Sequence, residues 1–141
     1  MIVLDTNVIS EPLRLAPDPR VMAWLDQQSA ETLFITAISR AELHFGVLKL
    51  PEGKRKQALA AQIEQVLALF EGRTLAFDAE AADKMAEIAA EGYRVGRPAT
   101  APDAYIAACA AAHGFQIATR NVSHFQFTGV PLINPWDERN A

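Results

Sequence analysis

The sequence predicts an α/β domain: a central, mostly parallel sheet of four to five short strands with helices on both faces. Three observations lead there. Short apolar runs of β character alternate with longer stretches of helical period, the order that parallel sheets require. Leu59, Ile63, Val66, Leu67 and Phe70 recur at the spacing of one helix face. Three acids, Asp5, Glu42 and Asp103, stand at the edges of such elements, where a parallel sheet places its sites.

Ile2, Val3 and Leu4 open the chain as a strand that ends at Asp5. Asp18 and Pro19 form a cap and first-turn pair ahead of a helix carrying Val21, Trp24 and Leu25. Leu33, Phe34 and Ile35 make a second strand. Ser39 and Glu42 read as a capping box opening a helix whose apolar stripe is Ala41, Phe45 and Leu48. Pro51 and Gly53 break the chain before the 59–70 helix, which Gly72 ends. Residues 74–77 form a third strand, and Asp78 caps a helix bearing Ala81, Met85, Ile88 and Ala89. Segment 92–102, with Gly92, Gly96, Pro98 and Pro102, reads as a loop whose last residue starts the next helix. Gly114 closes that helix. Residues 116–119 are a fourth strand, and 130–133 an edge strand, since Pro131 lacks the amide a central strand needs. With no repeat, low-complexity tract or linker, residues 1–141 are expected to form a single domain.

A chain of 141 residues can bury about two-thirds of its unfolded surface. Half of it is hydrophobic and 21% is charged, the composition of a folded domain and not of a disordered one. Cys109 is alone, which excludes an internal disulfide, and its apolar helical surroundings mark it as a core residue. No apolar stretch reaches the ~18 residues that span a bilayer, and no basic leader precedes the first strand, so a soluble, cytoplasmic protein is expected. The net charge of −4 weighs against a broad nucleic-acid footprint. Basic residues do group locally, at Arg14 and Arg20, Lys49 to Lys56, Arg94 and Arg97, and Arg120, so net charge leaves the partner open.

Each acid has an ordinary structural role. Asp5 can cap a short helix beginning at Thr6, Glu42 can complete the Ser39 box, and Asp103 can pair with Thr100 or favour its helix dipole. Together they suggest more. Three carboxylates within a few ångströms repel pairwise by about 4 kcal/mol at an effective dielectric near 20, which a divalent cation relieves. Asn121, after the fourth strand, is either a turn residue or a neutral oxygen donor to the same pocket. Thr6, Ser39 and Arg120 stand close to these positions in sequence and are supporting candidates. His44, His113 and His124 lack metal-binding spacing, and oxygen-only ligation points to Mg²⁺ or Mn²⁺ and not zinc.

In this order the motifs resemble a PIN domain, of the VapC/FitB toxin type. The opening residues 1–10, Met-Ile-Val-Leu-Asp-Thr-Asn-Val-Ile-Ser, are similar to that family's first strand and leading acid. Residues 36–43 around Glu42 resemble the motif of its second acid, 102–108 around Asp103 the third, and 118–122 the fourth. Ile133, Asn134, Pro135 and Trp136 are similar to the subgroup's closing motif. In one place the chain departs: the fourth acidic position is Asn121, which puts tight binding of a second ion in doubt. A smaller departure is Ala101-Pro102, which stiffens the approach to Asp103.

The resemblance implies a PIN-like fold and a Mg²⁺- or Mn²⁺-dependent endoribonuclease acting on structured RNA, such as transfer or ribosomal RNA. It implies Asp5, Glu42, Asp103 and Asn121 as catalytic positions, with Asp5 and Asp103 the main metal ligands. It also implies a VapB-like antitoxin covering the site, a homodimeric toxin, and DNA contact only through the antitoxin. Two other readings remain open. An aspartyl-phosphate phosphatase would need a second acid where this chain has Asn7. A PIN-like module lacking the fourth acid could bind an antitoxin or RNA without cutting.

Overall fold

The computed structural model describes residues 1–97 and 101–137. Among these residues, five strands form one parallel sheet: β1 (Ile2–Leu4), β2 (Leu33–Thr36), β3 (Thr74–Leu75), β4 (Gln116–Ala118) and β5 (Leu132–Ile133), in the order β3-β2-β1-β4-β5. Ile2 pairs with Leu33 on one side and Gln116 on the other, so β1 is the central strand. The chain steps outward from β1 to β3, then returns to the far side of β1. The switch in winding direction therefore falls between β1 and β4, where such sheets open a crevice at the strands' carboxyl ends.

Seven α-helices among the described residues cover the sheet: α1 (Thr6–Ser10), α2 (Pro19–Asp26), α3 (Ala37–Leu48), α4 (Lys54–Leu69), α5 (Ala79–Arg94), α6 (Ala101–His113) and α7 (Val122–Phe125). Strand residues alternate between two cores, as a period of two demands. Ile2, Leu4, Leu33 and Ile35 join Val8, Trp24, Leu43, Ile63 and Leu67 on one face. Val3 and Ile117 join Ala81, Ile88, Ile106 and Phe125 on the other. Cys109 is buried in this second core, where desolvation pushes its thiol up to about 11.

The predicted caps hold at Asp18, which accepts from Arg20 N, and at Asp78, which accepts from Ala81 N. Gly114, at φ 69°, closes α6 while Phe115 N donates to Ala110 O. Three local expectations are corrected. Thr36, not Ser39, caps α3: its hydroxyl accepts from Ser39 N at 3.2 Å, because β2 delivers Thr36 directly to the helix start. Ser39 is thus in the first turn and Glu42 in the second, so no capping box forms. α3 also turns the other way from the expected stripe. It buries Ser39, Leu43 and Val47, leaving Ala41, Phe45 and Leu48 exposed. Gly92, finally, is a buried residue within α5 and not part of a loop; the turn comes at Gly96, φ 69°. The expected pairing of Asp103 with Thr100 lies outside the described residues.

Phe125 is fully buried beneath the second core. Phe125→Ala is expected to cost about 3–5 kcal/mol in urea unfolding, and a loss under about 1 kcal/mol would mean that the core closes over the gap.

Candidate functional site

β1, β2 and β4 each run into a buried polar residue at their carboxyl ends: Asp5, Thr36 and Thr119. Asp5 is only 4% exposed. Its Oδ1 accepts from Thr6 N at 2.8 Å, and its Oδ2 accepts from the Thr119 hydroxyl at 2.7 Å and from Asn7 Nδ2 at 3.3 Å. Its amide donates to Ala118 O at 2.9 Å, which binds the end of β1 to β4 across the switch. Asp5 does cap α1 through Oδ1, and that role leaves its second carboxylate oxygen to the Thr119 hydroxyl and the Asn7 amide.

From the β2 side, the Thr6 hydroxyl donates to Glu42 Oε1 at 2.8 Å and lies 2.9 Å from Ser39 Oγ. α1 and α3 therefore meet through Thr6, and Glu42 is held by that hydroxyl and not by a cap. Asp103 sits in the first turn of α6, its Oδ2 3.3 Å from His124 Nδ1. Asn121 is exposed; its amide donates to Thr119 Oγ1 at 3.0 Å. Arg120 N donates to Asn7 Oδ1 at 3.4 Å, and its guanidinium lies over Trp136, 5.2 Å from the ring centroid.

Burial pushes the Asp5 carboxyl above the usual aspartate range. The Thr119 hydroxyl and Thr6 amide oppose this, while the charges of Asp103 and Glu42 push it further up. The fold thus brings Asp5 within the fields of both Glu42 and Asp103. The three acids do not close into a three-ligand metal group among the described residues. No lysine or arginine among those residues pairs with Asp5 or Glu42. Oxygen donors with an uncompensated buried charge have the chemistry of a hard-cation site, so the residues fit a divalent ion. Beside Thr6 and Glu42 opens a groove of about 860 Å³ between α3 and α4, lined by Leu13, Leu43, Leu59 and Ile63, with Arg14 and Arg55.

Thr119, Asn7 and His124 join the site although the sequence does not mark them as members of it. Thr119 and Asn7 lie two residues from Asn121 and Asp5, inside the motifs already noted. His124 is 21 residues from Asp103, and spacing carries no sign of a pair that only the fold assembles.

A family model described as the PIN domain matches residues 2–127, a span containing Asp5, Glu42, Asp103 and Asn121. The chain belongs to the PIN-domain family. It is 46% identical over 138 residues to VapC ribonuclease Y4jK of Sinorhizobium fredii, covering 97% of this chain and 99% of that one. It is 45% identical over 139 residues to toxin FitB of Neisseria gonorrhoeae, covering 98% and 100%. A solved FitAB complex bound to an IR36 DNA fragment contains a chain matching at TM-score 0.93 and 45% identity, covering 97% of this chain and 96% of that one. The VapC/FitB resemblance read from the motifs thus holds along nearly the whole PIN domain.

The raised Asp5 carboxyl has a consequence for stability. The folded PIN domain holds this proton more tightly than the unfolded chain does. Asp5 therefore favours folding below the ordinary aspartate range, and that contribution is lost as pH rises through the raised value. Asp5→Asn keeps an acceptor for Thr6 N and sheds the charge, and the loss of the second acceptor, to which Thr119 and Asn7 donate, offsets part of that gain. In EDTA at pH 7 it is expected to melt a few degrees higher than wild type, the scale of about 1 kcal/mol. The gap should close as pH falls from the raised value of Asp5 toward about pH 4, the ordinary aspartate range. Parallel melting curves across this range would remove Asp5 as the source of strain.

Proposed function

We propose that this chain is the toxin of a type II toxin–antitoxin pair, a cytoplasmic endoribonuclease that works as one PIN-like unit over residues 1–141. The single observation behind this is the buried Asp5 carboxylate at the winding switch, held by Thr119 and Thr6 within reach of the charges of Glu42 and Asp103. Asp5 and Asp103 would hold Mg²⁺ or Mn²⁺. When bound, that ion supplies a water of lowered pKa and a grip on a non-bridging phosphate oxygen. Thr119 and Asn7 fix the direction of Asp5, and Thr6 fixes that of Glu42, so the acids need little rearrangement before RNA arrives. Glu42 serves as a further ligand or orients the attacking water. Asn121 supplies a neutral oxygen where the family pattern has an acid, and Ser39 supports Thr6.

The RNA is of the structured kind, transfer or ribosomal. The partner is a VapB-like antitoxin, whose segment the apolar groove beside Thr6 and Glu42 suits. The toxin is a homodimer in that complex, and DNA is contacted only through the antitoxin. No helix among the described residues is long and apolar enough to cross a membrane. One observation favours a second reading. With Asn121 at the fourth position, the domain would bind an antitoxin or RNA with little or no cleavage.

The deciding experiment incubates antitoxin-free protein with total cellular RNA in Mg²⁺, Mn²⁺ or EDTA, beside Asp5→Asn. Discrete fragments that require metal and vanish in the variant are expected. A folded wild type that cuts under neither metal would move the assignment to the binding module. Asn121→Asp is expected to tighten Mn²⁺ binding about tenfold by titration calorimetry, because affinity follows ligand charge. Unchanged affinity would mean that position 121 points away from the ion.

A further inference from the structure

We propose that Arg120 and Trp136 form a phosphate-binding subsite that grips the RNA backbone at the rim of the Asp5 cleft. The assignment rests on the nuclease reading above and adds to it a substrate contact from the β4–β5 edge. Arg120 directly follows Thr119, the residue that joins β4 to Asp5. Thr119 N donates to Ile133 O at 2.9 Å, extending the β4–β5 ladder, and Arg120 N donates to Asn7 Oδ1 at 3.4 Å. The Arg120 backbone is therefore tied on one side to β5 and on the other to the segment that carries Asp5.

Trp136 is 7% exposed and packs into the first core. The turn that delivers it is locked by Asn134: Trp136 N donates to Asn134 Oδ1 at 2.9 Å, and Asp137 N donates to Asn134 O at 3.0 Å. A guanidinium held 5.2 Å above a buried ring loses less freedom on binding, and its planar N–H fork can meet a phosphate with two parallel bonds.

Two other arginines that the sequence groups together are already engaged. Arg14 lies 3.3 Å from buried Glu11, and Arg20 forks onto Asp18 at 2.7 and 3.1 Å. Arg120 is exposed and makes no ion-pair contact within 4.0 Å of a carboxylate among the described residues; its charge reaches Asp18 only at longer range, and Asp18 already accepts from Arg20. The cleft itself is acidic and repels phosphate, so a cation on its rim offsets that repulsion where the substrate must pass. The fork would also accept a carboxylate. Phosphate is favoured because the neighbouring acids act on a phosphodiester, whose flanking phosphates arrive with it.

The test is binding of fluorescently labelled bulk transfer RNA in EDTA, where neither cleavage nor a divalent competitor intervenes, measured over a range of NaCl. Wild type, Arg120→Gln and Arg120→Lys are compared, with melting temperatures as a check on folding. Arg120→Gln is expected to weaken binding about tenfold and lower the salt slope by about 0.7 to 0.9, one phosphate contact. Arg120→Lys should restore the slope without the full affinity, and in turnover the Arg120→Gln loss should fall mainly in KM. An unchanged slope overturns the subsite, whether affinity holds or falls. So does unchanged RNA binding with weakened binding of labelled hexaglutamate, which would reassign the fork to an acidic partner. A wild type that neither binds nor cuts RNA overturns the nuclease reading, and the subsite with it.

Discussion

The contact on which the site depends is the hydrogen bond from Thr119 to the buried Asp5 carboxylate. It spans the switch between β1 and β4, tying residues 114 positions apart in sequence. A carboxylate taken out of water is costly unless donors replace its hydration, and here a hydroxyl, a backbone amide and a side-chain amide do so. They offset the cost only in part, since the carboxyl remains above its ordinary range. The fold thus keeps a carboxylate whose charge burial disfavours, the usual relation between a working site and the stability of its fold.

The rest of the fold can be read as what brings other polar groups to that carboxylate. Parallel pairing sends the ends of β1, β2 and β4 to one edge, so Asp5, Thr36 and Thr119 emerge together. Thr36 starts α3 there, and the helix runs with Ser39 inward and Glu42 bonded to Thr6. α6 arrives by a different means. Ala104, Ala107, Ala108 and Ala110 are fully buried, and side chains this small allow close packing against the sheet and α5. Asp103, in the first turn of α6, is carried to the same edge, with Ile106 anchoring the helix in the second core.

One outcome of this packing runs against hydrophobic period alone. α3 has two candidate inward stripes, and the one with more aromatic surface, Ala41, Phe45 and Leu48, is left outside. Ser39 is the reason: its hydroxyl belongs to the Thr6–Glu42 network, and turning it inward carries Leu43 and Val47 to the core. Phe45 is covered in part by Lys49, whose ammonium lies 5.6 Å from the ring centroid. A polar network at the sheet edge here sets the rotation of a whole helix.

By itself the sequence determined the element order, the parallel sheet, the caps at Asp5, Asp18 and Asp78, and the acids worth following. These are local properties, carried by periodicity and by side chains bonding to backbone a few residues away. Family motifs supplied the rest of the identification, because they preserve a spacing that local physics does not explain. Tertiary structure decided what depends on distance through space. It joined Thr119 to Asp5, His124 to Asp103 and Arg120 to Trp136, and it chose the buried face of α3. No local signal encodes these pairings, since each links residues whose separation is closed only when strands pair and helices pack. The charge on Asp5 was legible from the first strand; the surroundings that hold and raise it were not.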